Sequence, residues 1–281
     1  MKKKFQFLGY LVLACIVSFY TLGGGFGSLE ADFTIGERPI VFAHRGVPVN
    51  TVENSTESFE LSLKLGFRAI ETDIRSTKDG TLVIFHDQAC KRLLGKEGKI
   101  QDFTWEEVND SFLHHEGKAT RNRIKRVKEF LNEPSYSDIV YLDLKKPSIE
   151  VLDRLIGMVD EGNSYKNIYI ADENLFYLAY LKFQNPKLNT ILEGFNSGKE
   201  FIHYLIPKNF KPDFYASFLS GVDEDHMEFL KENKLVDRRI VYGINSENLD
   251  KARALGIKHI VLDYEPTQGS LSAVEASLIK D

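Results

Sequence analysis

Cysteine is scarce in this chain of 281 residues, where only Cys15 and Cys90 occur. Cys15 falls inside an apolar N-terminal stretch, so a bridge to Cys90 is geometrically unfavourable. Two isolated thiols exclude a disulfide scaffold and a cysteine metal site. Positive charge is also in short supply: 36 Lys plus Arg stand against 41 Asp plus Glu, a formal net charge of −5. A broad nucleic-acid surface needs the opposite balance, because neutralising phosphates dominates such binding. The one strongly basic cluster is Arg121-Asn122-Arg123-Ile124-Lys125-Arg126. It reads as a solvated face, with attraction of an anionic polymer or lipid as the alternative. No Gly/Ser/Pro-rich linker or charge block divides the chain after residue 36. No internal repeat of about 20–50 residues is evident. No G-x-G-x-x-G follows the first strand pattern, which counts against a dinucleotide fold.

Long apolar runs are absent except at the N-terminus. There Lys2-Lys3-Lys4 precedes FQFLGYLVLACIVSFYTL over residues 5–22, interrupted chiefly by Gln6, Ser18 and Thr21. As a helix this segment extends roughly 27 Å, near the thickness of a hydrocarbon core. Residues 1–4 are thus a basic segment and 5–22 a membrane anchor or signal segment, with the lysines on the cytoplasmic side. Cleavage as an ordinary signal, or lipidation at Cys15, are the alternatives to an uncleaved anchor. Residues 23–36, beginning GGGFGSLE, form a tether, and 37–281 one globular domain. That domain is expected outside the cytoplasm, held at the membrane or secreted.

From residue 39 onward, short β-branched or aromatic runs alternate with longer amphipathic stretches. Strands are expected at 39–43, 68–74, 81–85, 138–144, 167–171, 190–193, 214–217, 239–243 and 259–262. Helices fit 55–65, 146–159, 173–184, 198–206, 222–234 and 246–255. Thr104 with Glu107 signals a further helix start. Residues 112–123 show little periodicity and read as a surface insertion. The β/α order predicts an α/β fold, a TIM-like (β/α)8 barrel, with a doubly wound open sheet as the competitor. Nine strand candidates exceed eight barrel positions, so 190–193 or 214–217 is expected outside the closed sheet.

Ionisable residues gather at the ends of successive strands: His44 and Arg45, then Glu71 and Asp73, then His86, then Asp143 and Lys145. In a parallel barrel such ends converge on one mouth. Alternation puts Glu71 and Asp73 on the same side of their strand. Singly, each has an ordinary explanation as a loop donor or a surface ion pair. Jointly they form a buried cluster that would cost several kcal/mol if it were unmatched. The chemistry suits a phosphodiester. Glu71, Asp73 and Asp143 are hard oxygen ligands for one divalent cation, Ca²⁺ or Mg²⁺. Arg45 and Lys145 can hold phosphoryl oxygens, and His44 and His86 can move protons. Phe201, Tyr204, Phe214, Tyr215 and Phe218 read as packing residues, with a lipophilic substrate approach as the alternative. His114, His115, His203 and His226 read as loop or helix-surface residues, and His259 lies at the start of the last strand, away from the mouth.

Residues 42–87 resemble the glycerophosphodiester phosphodiesterase family. The resemblance rests on His44-Arg45-Gly46, Glu53-Asn54-Ser55 with Phe59, Gly66, Glu71-Thr72-Asp73, Lys78-Asp79-Gly80 and His86-Asp87. It continues through Asp143-Leu144-Lys145 to Tyr242-Gly243-Ile244-Asn245 and Leu262-Asp263. It implies hydrolysis of glycerophosphodiesters to glycerol 3-phosphate and an alcohol, with His44 and His86 as the acid–base pair. It also implies Glu71, Asp73 and Asp143 as cation ligands, Arg45 and Lys145 as phosphate contacts, and Asn54 as support for the first loop and the substrate.

The chain departs from the family pattern in three places. Val52-Glu53-Asn54-Ser55 stands where Pro-Glu-Asn-Thr is common, Asp143 replaces a glutamate, and Tyr242-Gly243 stand where Trp and Thr are typical. The second of these shortens a metal ligand by one methylene; the third alters the wall facing the alcohol. Alternative readings are a lysophospholipase D or sphingomyelinase D-like lipid phosphodiesterase, or a non-catalytic binding barrel. Substrates reachable from an anchor include phospholipid-derived diesters and an envelope glycerophosphate polymer.

Overall fold

The computed structural model describes residues 2–25, 27, 39–133, 138–162, 165, 167–266 and 270–278, with side chains from Val12 onward. Along the chain the elements are α1 (Lys2–Leu22), β1 (Val41–His44), α2 (Thr56–Lys64), β2 (Ala69–Ser76), β3 (Leu82–Ile84), α3 (Lys91–Leu94) and α4 (Trp105–Val108). Next come β4 (Phe112–His115), β5 (Lys118–Arg123), β6 (Lys125–Arg126), α5 (Val127–Leu131), β7 (Ile139–Leu144), α6 (Ile149–Gly162), β8 (Ile168–Asp172) and α7 (Leu175–Gln184). The last are β9 (Asn189–Leu192), α8 (Phe201–Leu205), β10 (Phe214–Phe218), α9 (Glu224–Glu232), β11 (Arg239–Ile244), α10 (Leu249–Ala254), β12 (His259–Leu262) and α11 (Leu271–Leu278).

Eight strands, β1, β2 and β7 to β12, pair in parallel in chain order, and β1 pairs with both β2 and β12, so the sheet closes. The expected barrel is present. Its stray ninth strand is a different one from those expected, since both 190–193 (as β9) and 214–217 (as β10) lie inside the ring. The outsider is β3, which folds back antiparallel on the overlong β2, pairing Ile74 with Ile84 and Ser76 with Leu82. Residues 112–123 are also more ordered than their weak periodicity suggested: β4 and β5 form an antiparallel hairpin.

Alternation divides the strand residues between two cores. Phe42, Ala69, Tyr141, Ala171, Ile191, Phe214, Ala216, Ile240 and Val261 fill the barrel interior. Their neighbours, among them Val41, Ile70, Leu142, Ile170, Tyr215 and Val241, face the surrounding helices. The helices answer in kind. In α6 the buried residues are Val151, Leu152, Leu155 and Val159, one stripe of a 3.6-residue period. A third cluster, with Cys90, Leu93, Leu94, Ile100, Leu113 and Ile124, belongs to the insertion that follows β3. Caps set the helix starts: Ser55 and Ser58 form a reciprocal box on α2, and Asn174 and Asp223 cap α7 and α9.

At the N-terminus, α1 ends against the barrel. Lys208 N–H donates to the Gly25 carbonyl (2.9 Å) and Asn209 N–H to that of Gly23 (2.8 Å). Among the described residues no helix is long and apolar enough to cross a membrane. Of the tether, residues 26 and 28–36 lie outside the described residues.

Candidate active site

The parity that fills the barrel interior also builds the site. One step beyond the last inward apolar layer come His44 on β1, Glu71 and Asp73 on β2, Asp143 on β7 and Glu193 after β9. Tyr242 on β11 and Asp263 after β12 follow the same alternation. Register does the rest: His44 lies beside Glu71, and Asp73 beside Asp143. His86 reaches the mouth by a different route. Because β2 overshoots the barrel and β3 returns along it, Phe85 N–H donates to the Asp73 carbonyl (3.0 Å). The residue after it is thereby brought back to the level of the carboxylates.

The first loop is held by its own backbone. Arg45 and Gly46 both take positive φ, 53° and 74°, reversing the chain after β1. Arg45 N–H donates to Glu71 Oε2 (2.9 Å), while its guanidinium lies 3.0 Å from Glu53 Oε1 and 3.2 Å from Asp73 Oδ2. Asn54 Nδ2 donates to Asp73 Oδ2 (2.8 Å) and its Oδ1 accepts from Thr72 Oγ1 (2.7 Å). With both ends of its amide so engaged, Asn54 supports Asp73 from behind. Lys145 Nζ sits 3.1 Å from Asp73 Oδ1 and also pairs with Asp143.

Both histidines have Nδ1 committed to an aspartate. His44 Nδ1 meets Asp263, and His86 Nδ1 lies 2.8 Å from Asp87 Oδ1. Arg92 on α3 fixes the second pair, donating to both Asp87 oxygens at 2.7 Å and to Glu53 at 2.8 and 2.9 Å. His44 Nε2 is 3.8 Å from Glu71 Oε2. Burial alone would lower the His44 pKa, but the hydrogen bond to Asp263 and the Glu71 charge outweigh it and raise it.

Glu71, Asp73 and Asp143 each offer an oxygen within 4.8 Å of the others. Burial and like charge push Glu71 and Asp143 upward. Asp73 is buried as well, but Arg45 and Lys145 hold it below the usual range. Asp73 Oδ1 is buried and receives no hydrogen bond of good geometry. Three crowded carboxylates fit a hard divalent cation, whose charge removes the mutual repulsion.

All eight residues expected at the site converge on this mouth. Reading the sequence missed Glu193. Its carboxylate accepts from Tyr141 Oη at 2.5 Å, and burial raises its pKa. The strand before it is short, and its alternation is hard to read from sequence alone. Asp263 falls within the family resemblance but carries no role there, and Arg92 lies outside its motifs. The other histidines lie elsewhere. His203 and His226 are buried, contrary to their expected surface places, the former bonded to Tyr215 Oη at 2.8 Å and the latter to Glu200 at 2.6 Å. Phe214 and Tyr215 are core residues, whereas Phe218 is exposed and packs edge-on against Tyr242 at 4.4 Å. The arginines of the basic cluster are each ion-paired, Arg121 to Glu57, Arg123 to Asp110 and Arg126 to Glu129.

Comparison with known proteins bears on the family and the fold. The profile of the glycerophosphoryl diester phosphodiesterase family matches residues 44–193. A glycerophosphodiester phosphodiesterase of Bacillus altitudinis is 34% identical over 238 residues, spanning 80% of this chain and 94% of that protein. One from Caldanaerobacter subterraneus subsp. tengcongensis is 32% identical over 159 residues, 54% of this chain and 65% of the relative. Among solved structures, a glycerophosphoryl diester phosphodiesterase from Parabacteroides distasonis superposes with a TM-score of 0.70 at 21% identity, covering 94% of this chain and 92% of its own. An Oleispira antarctica phosphodiesterase, solved with the product sn-glycerol-3-phosphate, gives 0.67 at 21% identity, covering 84% and 97%. At such identities these two likenesses bear on the fold. With the profile match spanning more than half its length, this chain belongs to the glycerophosphoryl diester phosphodiesterase family.

Proposed function

We propose that the chain hydrolyses glycerophosphodiesters to glycerol 3-phosphate and an alcohol, with His44 and His86 as its proton carriers and a divalent cation held by Glu71, Asp73 and Asp143. The observation that carries this reading is the pair of imidazoles, each with Nδ1 fixed by an aspartate, flanking one group of buried carboxylates. With Nδ1 occupied, each ring presents Nε2, so one can take a proton from the attacking oxygen while the other gives one to the departing alcohol. A bound Ca²⁺ or Mg²⁺ would supply charge stabilisation at a phosphoryl oxygen. Lys145 and the Arg45 guanidinium, lying beside Asp73, are positioned to hold the remaining phosphoryl oxygens. Tyr242, Phe218 and Glu193 line the side where the alcohol would sit.

The apolar segment over residues 5–22, with its three preceding lysines, supports an anchor that holds the barrel outside the cytoplasm. Phospholipid-derived diesters or an envelope glycerophosphate polymer then come within reach.

The test is divalent-dependent product formation on glycerophosphocholine, lysophosphatidylcholine and a poly-glycerophosphate chain. Glycerol 3-phosphate should appear with Ca²⁺ or Mg²⁺ and vanish on chelation. His44→Ala and His86→Ala should each lower kcat/KM by roughly 100-fold or more without unfolding the protein. Asp73→Asn should abolish the rise in thermal midpoint that the cation gives the native chain. Release of choline from the lysolipid alone would overturn the substrate assignment, and full activity after chelation would overturn the cation.

A further inference from the structure

The end of α1 rests on a part of the barrel that is unusually apolar at its surface. The Phe19 ring lies 5.3 Å from Phe210 and 6.3 Å from Phe176, and Tyr20 Oη donates to the Leu205 carbonyl at 2.7 Å. The approach is close enough that a Cβ on Gly23 would fall 2.3 Å from Pro207 Cβ. Around this contact the barrel exposes Phe176 on α7 (74%) and Phe201 (59%), Tyr204 and Leu205 on α8. The last three share one side of a short helix at i, i+3 and i+4. On α1 itself Leu13 and Val17 are exposed as well. Scattered exposed hydrophobics are ordinary; several exposed rings beside the docked end of an apolar helix mark a surface that something covers.

We propose that this face, Phe176 on α7 with Phe201, Tyr204 and Leu205 on α8, lies in the interfacial layer of a lipid bilayer and holds the barrel mouth at the membrane surface. The inference rests on the reading of residues 5–22 as an anchor. It goes further: a tether alone would leave the barrel free to tumble, whereas the docked end of α1 and the rings beside it fix one orientation. Lipid is the occupant the structure favours, because Phe19 joins Phe176 to a helix that exposes Val12, Leu13, Ile16 and Val17 and begins with three lysines. Aromatic rings with a polar tip, such as Tyr204, suit the headgroup level. The α7 start, with Phe176, follows the mouth end of β8, so the face reaches the rim of the mouth there, while α8 lies lower on the barrel wall, where His203 bonds Tyr215 near the start of β10. Substrates presented at the bilayer surface would therefore be favoured over diesters in solution.

The test uses the full chain in vesicles of phosphatidylethanolamine and phosphatidylglycerol. The single native Trp is removed as Trp105→Phe, and a reporter is placed as Phe201→Trp or Phe176→Trp. Lipids brominated near the headgroup should quench both reporters at least twofold, while Trp105 in the native chain stays bright. Phe176→Ser with Phe201→Ser should lower turnover of vesicle-borne lysophosphatidylglycerol about tenfold relative to the native chain, and leave that of soluble glycerophosphocholine unchanged. A chain that floats with the vesicles but shows unquenched reporters overturns this inference and spares the anchor. A chain that fails to float overturns both. Two copies per nanodisc with reporters shielded from bromine would assign the face to self-association instead.

Discussion

Gly46 shows how little freedom the first loop has. Its φ of +74° already favours glycine, and a Cβ there would meet Ser58 Oγ at 2.6 Å and the Ser58 carbonyl carbon at 2.7 Å. Ser58 is no loose neighbour, because its side chain closes the capping box of α2 and donates to the Arg45 carbonyl (3.0 Å). Whatever relieves the clash must shift Arg45, whose backbone N–H and guanidinium hold Glu71 and Asp73. Gly46→Ala is expected to lose about 2 kcal/mol or more, from backbone strain and steric conflict together. Its kcat/KM should fall at least tenfold even where the protein remains folded. Urea unfolding and steady-state rates measured on the same preparation check both.

Among the elements, the insertion after β3 has a structure and a task of its own. Its buried residues, Leu93 and Leu94 on α3 with Ile100, Leu113 and Ile124, pack on one another apart from the two barrel cores. The same α3 carries Arg92, which ties Asp87 to Glu53 and so steadies His86. Leu93→Ala should cost about 2–4 kcal/mol within this unit. Hydrogen exchange should speed up from α3 through β5 and leave β8 to β11 nearly unchanged. Activity should fall through loss of the Arg92 brace, most visibly in kcat. Little of the insertion was legible in the sequence. Its hairpin strands are largely exposed, so Lys118–Arg123 shows no clean alternation, and its core is gathered from residues without common periodicity. Barrel strands were readable because one face meets helices and the other the interior. That rule located Glu71, Asp73 and Asp143 on one face. It failed for β3, since three apolar residues read alike whether they pair in parallel or fold back. Had β9 been accepted into the ring, the alternation of Ile191 with Glu193 would have pointed that carboxylate into the mouth.

For the molecule as a whole, closure depends on groups far from the site. His259 at the start of β12 accepts from Ile40 N–H at Nδ1 (3.1 Å), while Nε2 lies 3.1 Å from the Asp237 carbonyl. Nδ1 therefore carries no proton, and Nε2–H is the donor: the ring is neutral by construction, clasping the entry to β1 against the last strand. His203 is buried between α8 and β10 beside Tyr215. Burial pushes both imidazoles down, to about 4, with Lys211 adding to the effect at His203. An unfolded histidine takes up its proton near pH 6.5. The depressed folded values therefore contribute stability that is fully present above pH 6.5 and is lost as pH falls from there towards 4. At about 1.4 kcal/mol per pH unit, each ring carries on the order of 3 kcal/mol of that loss. Over the same window the raised carboxyls of Glu71 and Asp143 act in the opposite direction, so the histidine contribution is read from the difference between the native chain and a variant in how the denaturant midpoint changes with pH. His259→Gln should be less stable at pH 7.5 but show a shallower decline on acidification, because one of the two protons taken up on unfolding is gone. An unchanged slope in that variant would mean that His259 takes up no proton on unfolding, and would overturn the buried neutral clasp.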